Sequence, residues 1–372
     1  MDLSEIRQRI GQMFIIGFQD LEPSSEVKKF ITTNNVGGVI LFERNVESPA
    51  QLGDLTNELQ SLTAKRADTK QLFVSIDMEG GRVARLKAPF TQWPPMSLLG
   101  EIGSAALGFK FAETMGRELL AVGINLNFSP CVDVLTNDKN TVIGDRSFGS
   151  DPELVSKLSS ALVRGFVKSG ILPCVKHFPG HGDTIADSHE ELPVVNYDMD
   201  RLEKIEFIPF RKAFRARADL LMTAHIKMPK LDPQWPATMS PTILQNILRE
   251  KLGYRQAIIT DDMEMKAITK NYSVEEAVVQ AVTAGCNLLL YCHTLEVQQK
   301  ALEAVVKAVV DKKISEDLLN KSYEMVVKVK KSGLKPFAPV DVTNISKIVG
   351  HPEHLKLAKH IARKEIPAGL AT

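Results

Sequence analysis

Short apolar runs rich in aliphatic residues alternate along this chain with longer stretches whose apolar positions recur at helical spacing. The runs are MFIIGF (13–18), VGGVILF (36–42), LFVSID (72–77), INLNFSP (124–130), ILPCVKH (171–177), DLLMTAHI (219–226), AIITDD (257–262) and NLLLYC (287–292). Between them, DPELVSKLSSALVRGFVKSG opens on an Asp-Pro start signal and closes on Gly170, and SVEEAVVQAVTAG opens on Ser273 with Glu276 three residues later. Both patterns predict helices. Eight strand–helix units in about three hundred residues fit an α/β fold of the TIM-type (β/α)8 barrel better than a doubly wound sheet. After residue 333 the pattern changes to Pro-rich punctuation and one amphipathic stretch, PEHLKLAKHIARKEI. The expected organisation is one barrel domain over residues 1–335, followed by a tail over 336–372 that packs as a helix and takes no part in chemistry.

Composition narrows the class of protein. With 372 residues, 44% of them hydrophobic, the chain has material for a large core. The 46 Lys and Arg nearly balance the 45 Asp and Glu, so no overall field draws nucleic acid or an anionic membrane. The opening MDLSEIRQRIGQMF interleaves charges with apolar positions, unlike a secretory signal. Cys131, Cys174, Cys286 and Cys292 contain no CxxC pair, and three of them sit in apolar runs, so buried reduced thiols are expected. These features give no reason to expect a nucleic-acid or membrane partner; a cytoplasmic monomer acting on a small molecule, without cofactor or metal, is the expectation taken forward.

Active sites of (β/α)8 barrels gather at the C-terminal ends of the strands. Asp77 ends the third run, Lys176 and His177 the fifth, His225 the sixth, and Asp261 with Asp262 the seventh. Loops are polar in any protein, but polarity alone would not favour Asp, Lys and His over Ser, Asn and Gly. The fifth run leads into KHFPGHGDTIADSHEELP (176–193). His177 and His181 stand four apart, as two metal ligands on a helix would, but the Phe-Pro-Gly between them breaks such a helix. A phosphate cradle lacks the helix that should follow it. Proton transfer needs an imidazole beside a carboxylate, and Asp187 with His189 supplies that pair if the chain turns at Ser188. A solvated loop with a chance Asp and His is the bland alternative.

KHFPGHGDTIADSHEELP resembles the signature loop of the β-N-acetylglucosaminidases of glycoside hydrolase family 3. DMEGGRVARL (77–86), IGDRSFGSDP (143–152) and ILREKLGYRQAIITDDMEM (247–265) resemble that family's sugar-binding segment, arginine loop and nucleophile strand. The resemblance spans residues 8–335. It implies a retaining exo-hydrolase of terminal β-linked N-acetylglucosamine, with muropeptide fragments of peptidoglycan recycling as substrate. Carried over, it makes Asp261 the nucleophile with Asp262 in support, and His189 the general acid and base, oriented by Asp187. Asp77, Arg85, Arg146, Lys176 and His177 would hold the hydroxyls of the terminal sugar. Gln256 stands where the family usually has a glycine, which leaves the local turn open. The tail resembles the start of a linker that in many relatives leads to a second domain.

The implied chemistry is self-consistent. A retaining glycosidase needs one carboxylate to attack the anomeric carbon and a second group to protonate the departing oxygen. An imidazole with an unperturbed pKa of about 6.5 suits both donation and acceptance near neutrality. Gly180 and Gly182 would let the loop close over a sugar. Arg82, one turn from Arg85, reads as a structural salt bridge. Three other readings compete: a phosphorylase on the same scaffold, a metal-dependent amidohydrolase using the histidine loop, and a carbohydrate-binding barrel without turnover.

Overall fold

Each of the eight apolar runs contributes one strand, and the eight close on themselves. The computed structural model describes residues 1–64, 66, 71–185, 188 and 190–370. The barrel strands are β1 (Phe14–Ile16), β2 (Gly38–Leu41), β3 (Phe73–Ile76), β4 (Leu126–Asn127), β5 (Leu172–Phe178), β6 (Leu220–Thr223), β7 (Ala257–Asp262) and β8 (Leu288–Tyr291). Neighbours pair in parallel in chain order, and β8 returns to β1 through Phe14 opposite Leu289. The runs are continuous because a parallel strand in this position is buried on both faces. One face packs on the outer helices, while Ile15, Ile40, Phe73, Leu126, Leu220 and Ile259 point inward and fill the barrel. The doubly wound alternative is thereby excluded.

The helix signals act as their chemistry requires. Asp151 accepts a hydrogen bond from the Glu153 amide at the start of Pro152–Ser169, and Gly170 ends that helix at φ 97°. Ser273 caps Val274–Ala284 through the Glu276 amide. Before β7, Gly253 supplies the left-handed residue at φ 71°, and the Gln256 carbonyl accepts from Arg249 Nη1 at 2.6 Å. The turn left open by Gln256 is therefore made three residues earlier. All four cysteines are free and buried. Among the described residues, no helix is long and apolar enough to cross a membrane.

The helix Glu316–Gly333 crosses the N-terminal ends of the strands and closes the barrel from below. Val326 and Val329 join the interior cluster. Lys330, buried beside them, donates to Gln12 Oε1 at 2.9 Å and to the Gly37 carbonyl at 2.7 Å, with its Nζ 4.9 Å from the centre of the Phe73 ring. In the tail, Pro352–Ala362 is helical and buries Leu357 and Ile361. His354 Nδ1 lies 2.7 Å from Glu118 Oε1, a buried carboxylate that also accepts from Thr91 and from the Gly350 amide. A cavity of about 960 Å³ lies between this tail and the helix Ala105–Ala121, away from the strand ends.

Burial pushes the Lys330 amine well below its ordinary value, with the nearby Arg66 adding to the effect. The unfolded chain then holds that proton more tightly than the folded one, so stability rises with pH between the lowered folded value and about 10.4. Lys330→Met is expected to flatten this alkaline rise in Tm, as read from thermal unfolding between neutral and alkaline pH. An unchanged slope would place the titrating group elsewhere.

Candidate active site

At the C-terminal end of β5, Lys176 and His177 are both buried. An ammonium removed from water must be paired, and Lys176 Nζ lies 2.7 Å from both Asp77 Oδ1 and Glu79 Oε1. Glu79 is shared. Its two oxygens also accept from Arg146 Nε at 2.9 Å and Nη2 at 2.8 Å, a bidentate pair that fixes the guanidinium plane. Burial opposes every one of these charges, yet mutual attraction outweighs it. Glu79 is held far below the usual carboxylate range, and Lys176 and Arg146 are held above their ordinary values.

The exposed end of this network is Asp77, whose second oxygen lies 3.9 Å from Arg85 Nη2. Arg85 Nε has no hydrogen-bond partner among the described residues. Both side chains keep some exposure, 17% for Asp77 and 34% for Arg85, so a ligand's hydroxyls can reach them. Arg82 has a different task. Its Nε pairs with Asp145 at 3.0 Å and its Nη2 caps the carbonyls of Thr141, Val142 and Ile143, which shapes the arginine-bearing loop.

The two aspartates ending β7 are separated by their hydrogen bonds. Asp262 is committed: Oδ1 accepts from the amides of Glu264 and Cys292, and Oδ2 lies 3.3 Å from His293 Nε2. Asp261 accepts on Oδ1 from the Asp262 amide at 2.8 Å, and its other oxygen has no partner among the described residues. Burial pushes the Asp261 carboxyl up, but the electrostatic pull of the His177 and His225 rings, the hydrogen bond from the Asp262 amide and the Lys176 charge outweigh it and hold it below the ordinary value. An ionised carboxylate with one free oxygen, on a rigid strand end, is equipped as a nucleophile. His225, buried at the end of the sixth run, donates Nε2–H to the Asp262 carbonyl at 3.0 Å and steadies the same turn.

Asp187 and His189 lie outside the described residues. The described parts of their loop are tied to the segment after β7. Ser188 accepts from the Ala267 amide at 3.3 Å, Lys266 pairs with Glu190 at 2.7 Å, and Lys270 donates to the Glu190 carbonyl. Within the loop, the buried His181 ring spans Thr184 Oγ1 at 2.7 Å and Ser188 Oγ at 3.1 Å. Burial lowers its pKa to about 4, so it serves as a neutral brace. Cys131, Asp133 and His177 are the one group of potential metal donors among the described residues. They are already satisfied by one another, since Cys131 Sγ and His177 Nδ1 both donate to Asp133.

Residues 5–329 match the model of the glycosyl hydrolase family 3 N terminal domain. The chain belongs to glycosyl hydrolase family 3. Family 3 relatives include beta-hexosaminidase A of Pseudoalteromonas piscicida, 33% identical over 91% of this chain and 60% of that protein. The beta-hexosaminidase of Nitrosomonas eutropha is 40% identical over 69% of this chain and 74% of its own length. Among solved structures, the family 3 beta-N-acetylglucosaminidase of Paenibacillus sp. FPU-7 superposes with a TM-score of 0.89 at 40% identity, over 96% of this chain and 68% of that one. The chain thus spans less than two thirds of the Pseudoalteromonas protein.

Asp77, Arg85, Arg146, Lys176, His177 and Asp261 all come together at the family 3 barrel mouth. Sequence reasoning passed over Glu79, although it lies inside the quoted DMEGGRVARL, and Asp133, which follows the fourth run. It also missed Phe42 at the end of β2, whose ring meets His293 at 5.6 Å and carries the Arg44 guanidinium at 4.3 Å. Glu79→Gln leaves two buried cations short of a counter-charge and is expected to cost about 3–5 kcal/mol. Arg82→Ala, in a half-exposed pair, is expected to cost about 1 kcal/mol or less. Urea unfolding of both variants checks the ranking, and equal losses would contradict the description of Glu79 as the hub.

Proposed function

We propose that this chain hydrolyses terminal, non-reducing β-linked N-acetylglucosamine with retention of configuration. Asp261 attacks the anomeric carbon as the bond to the aglycone breaks, and His189, oriented by Asp187, gives its proton to the departing oxygen. In the second step His189 takes a proton from water, the water oxygen bonds to the anomeric carbon, and the Asp261 carboxylate is released. Asp77, Arg85, Arg146, Lys176 and His177 hold the sugar's hydroxyls as donors and acceptors.

The observation that carries this reading is the contrast between Asp261, with one oxygen free among the described residues, and Asp262, with both engaged. The activities named for the relatives support it: beta-hexosaminidase for two of them and beta-N-acetylglucosaminidase for the third. The loop's resemblance to the family signature supports muropeptide fragments of peptidoglycan recycling as substrate.

A chromogenic β-N-acetylglucosaminide tests the activity directly. Free N-acetylglucosamine as the product, whether or not phosphate is present, is the outcome expected. A sugar phosphate formed only with phosphate would instead establish the phosphorylase reading. Asp261→Asn is expected to lower kcat by roughly 10⁴-fold or more while leaving the protein folded. Asp262→Asn is expected to cost less, and the reverse ranking would exchange the two roles.

The acid role of His189 is read from leaving-group dependence. Acidic phenols depart with little help, so His189→Ala should slow glycosylation far more for poor leaving groups than for good ones. Plots of log rate against leaving-group pKa that run parallel for wild type and variant would remove His189 from that role.

A further inference from the structure

Asp133 is 1% exposed and lies on the segment that follows β4. Four groups converge on its carboxylate. His177 Nδ1 lies 2.7 Å from Oδ2, the His177 amide 3.2 Å from Oδ2, the Cys131 thiol 3.2 Å from Oδ2, and the His181 amide 2.7 Å from Oδ1. Burial pushes this carboxyl up, but the hydrogen bonds it accepts from the His177 ring and the His181 amide hold it below its ordinary value. It is an acceptor and nothing else.

The far side of the same imidazole is equally constrained. His177 Nε2 lies 3.3 Å from Arg146 Nη2, and a guanidinium has hydrogens to donate and no lone pair to offer. Between a pure acceptor at Nδ1 and a pure donor at Nε2, a single arrangement satisfies both: a neutral ring with its proton on Nδ1. Nε2 then presents a lone pair, shared between Arg146 and whatever donor a ligand brings.

We propose that Asp133 is a positioning residue for the glycosidase site, one that holds His177 as the Nδ1–H tautomer so that Nε2 accepts from a sugar hydroxyl. It acts through His177 and does not touch substrate. The same carboxylate secures the root of the loop that bears the proposed acid and base. The His181 amide is bonded to it, the His181 carbonyl accepts from Asn140 Nδ2 at 2.7 Å, and a Cβ on Gly182 would lie 1.8 Å from the Val134 carbonyl oxygen. The step from tautomer to catalysis rests on the glycosidase reading above; the assignment of the tautomer does not.

A metal ion on Cys131, Asp133 and His177 is the rival account of this cluster. It would need the thiolate and a bare Nδ1. Burial, with Asp133 adding to it, pushes the Cys131 thiol well above its ordinary value, which opposes the first requirement.

The experiment is a long-range ¹H–¹⁵N correlation spectrum of the full chain labelled at histidine nitrogen, with the His177 signal identified by its loss in His177→Ala. Wild type is expected to show the neutral Nδ1–H ring. An Nε2–H ring, an imidazolium, or a signal displaced by stoichiometric zinc would each overturn the proposal, whether or not any variant folds.

Asp133→Asn places an amide NH₂ either against Nδ1 or against the His181 amide, so one contact must reverse. Its His177 ring is expected to lose the single Nδ1–H form, with kcat/KM for the N-acetylglucosaminide falling about 10–100-fold and no comparable loss of folded protein. An unchanged tautomer with unchanged kinetics would refute the role. If wild type shows no turnover of that substrate, the glycosidase reading fails, while the spectrum still decides the tautomer.

Discussion

An ammonium ion buried at the end of β5 obliges the protein to surround it with carboxylates, and much of the site follows from that obligation. Lys176 takes both Asp77 and Glu79. Glu79, now carrying a full charge in a dry place, takes Arg146. Arg146 in turn has a nitrogen to spare for His177, and His177 leans on Asp133. Each group is tolerable in low dielectric because of the next, so the chain of charges is fixed as a unit. A ligand meets polar groups whose orientation has been settled before it arrives, and it does not have to order them on binding.

Two neighbouring aspartates on one strand end illustrate how environment divides labour between identical side chains. Asp262 is saturated by two amides and an imidazole and serves as a joint between β7 and the segment after β8. Asp261 has been left with capacity. The His225 bond to the Asp262 carbonyl fixes the peptide that follows the pair, between Asp262 and Met263. Residue type alone could not have separated the pair. The count of satisfied lone pairs does.

The barrel was legible from the chain because parallel strands buried on both faces leave continuous apolar runs, and because Asp151, Gly170 and Ser273 mark helix ends by local chemistry. Asp77, Lys176, His177 and Asp261 were legible for a related reason: they stand at strand ends, where this fold exposes its side chains. Glu79 and Asp133 were not. Their importance comes from partners 67 and 44 residues away in sequence, Arg146 and His177, and spacing carries no record of such contacts. Phe42 and His293 escaped for the opposite reason, since an aromatic residue at the edge of an apolar run looks like core. The interval bearing Asp187 and His189 was conspicuous in sequence by composition and by family likeness, two signals that do not depend on its shape.

The helix Glu316–Gly333, with Val326 and Val329 set into the interior and Lys330 bonded across the strand bottoms, plugs one end of the barrel. Layers of side chains fill the space above it, so the mouth leads to a floor. Whatever reaches the polar groups at the mouth must therefore arrive and depart on the same side, because the packed interior offers no second route.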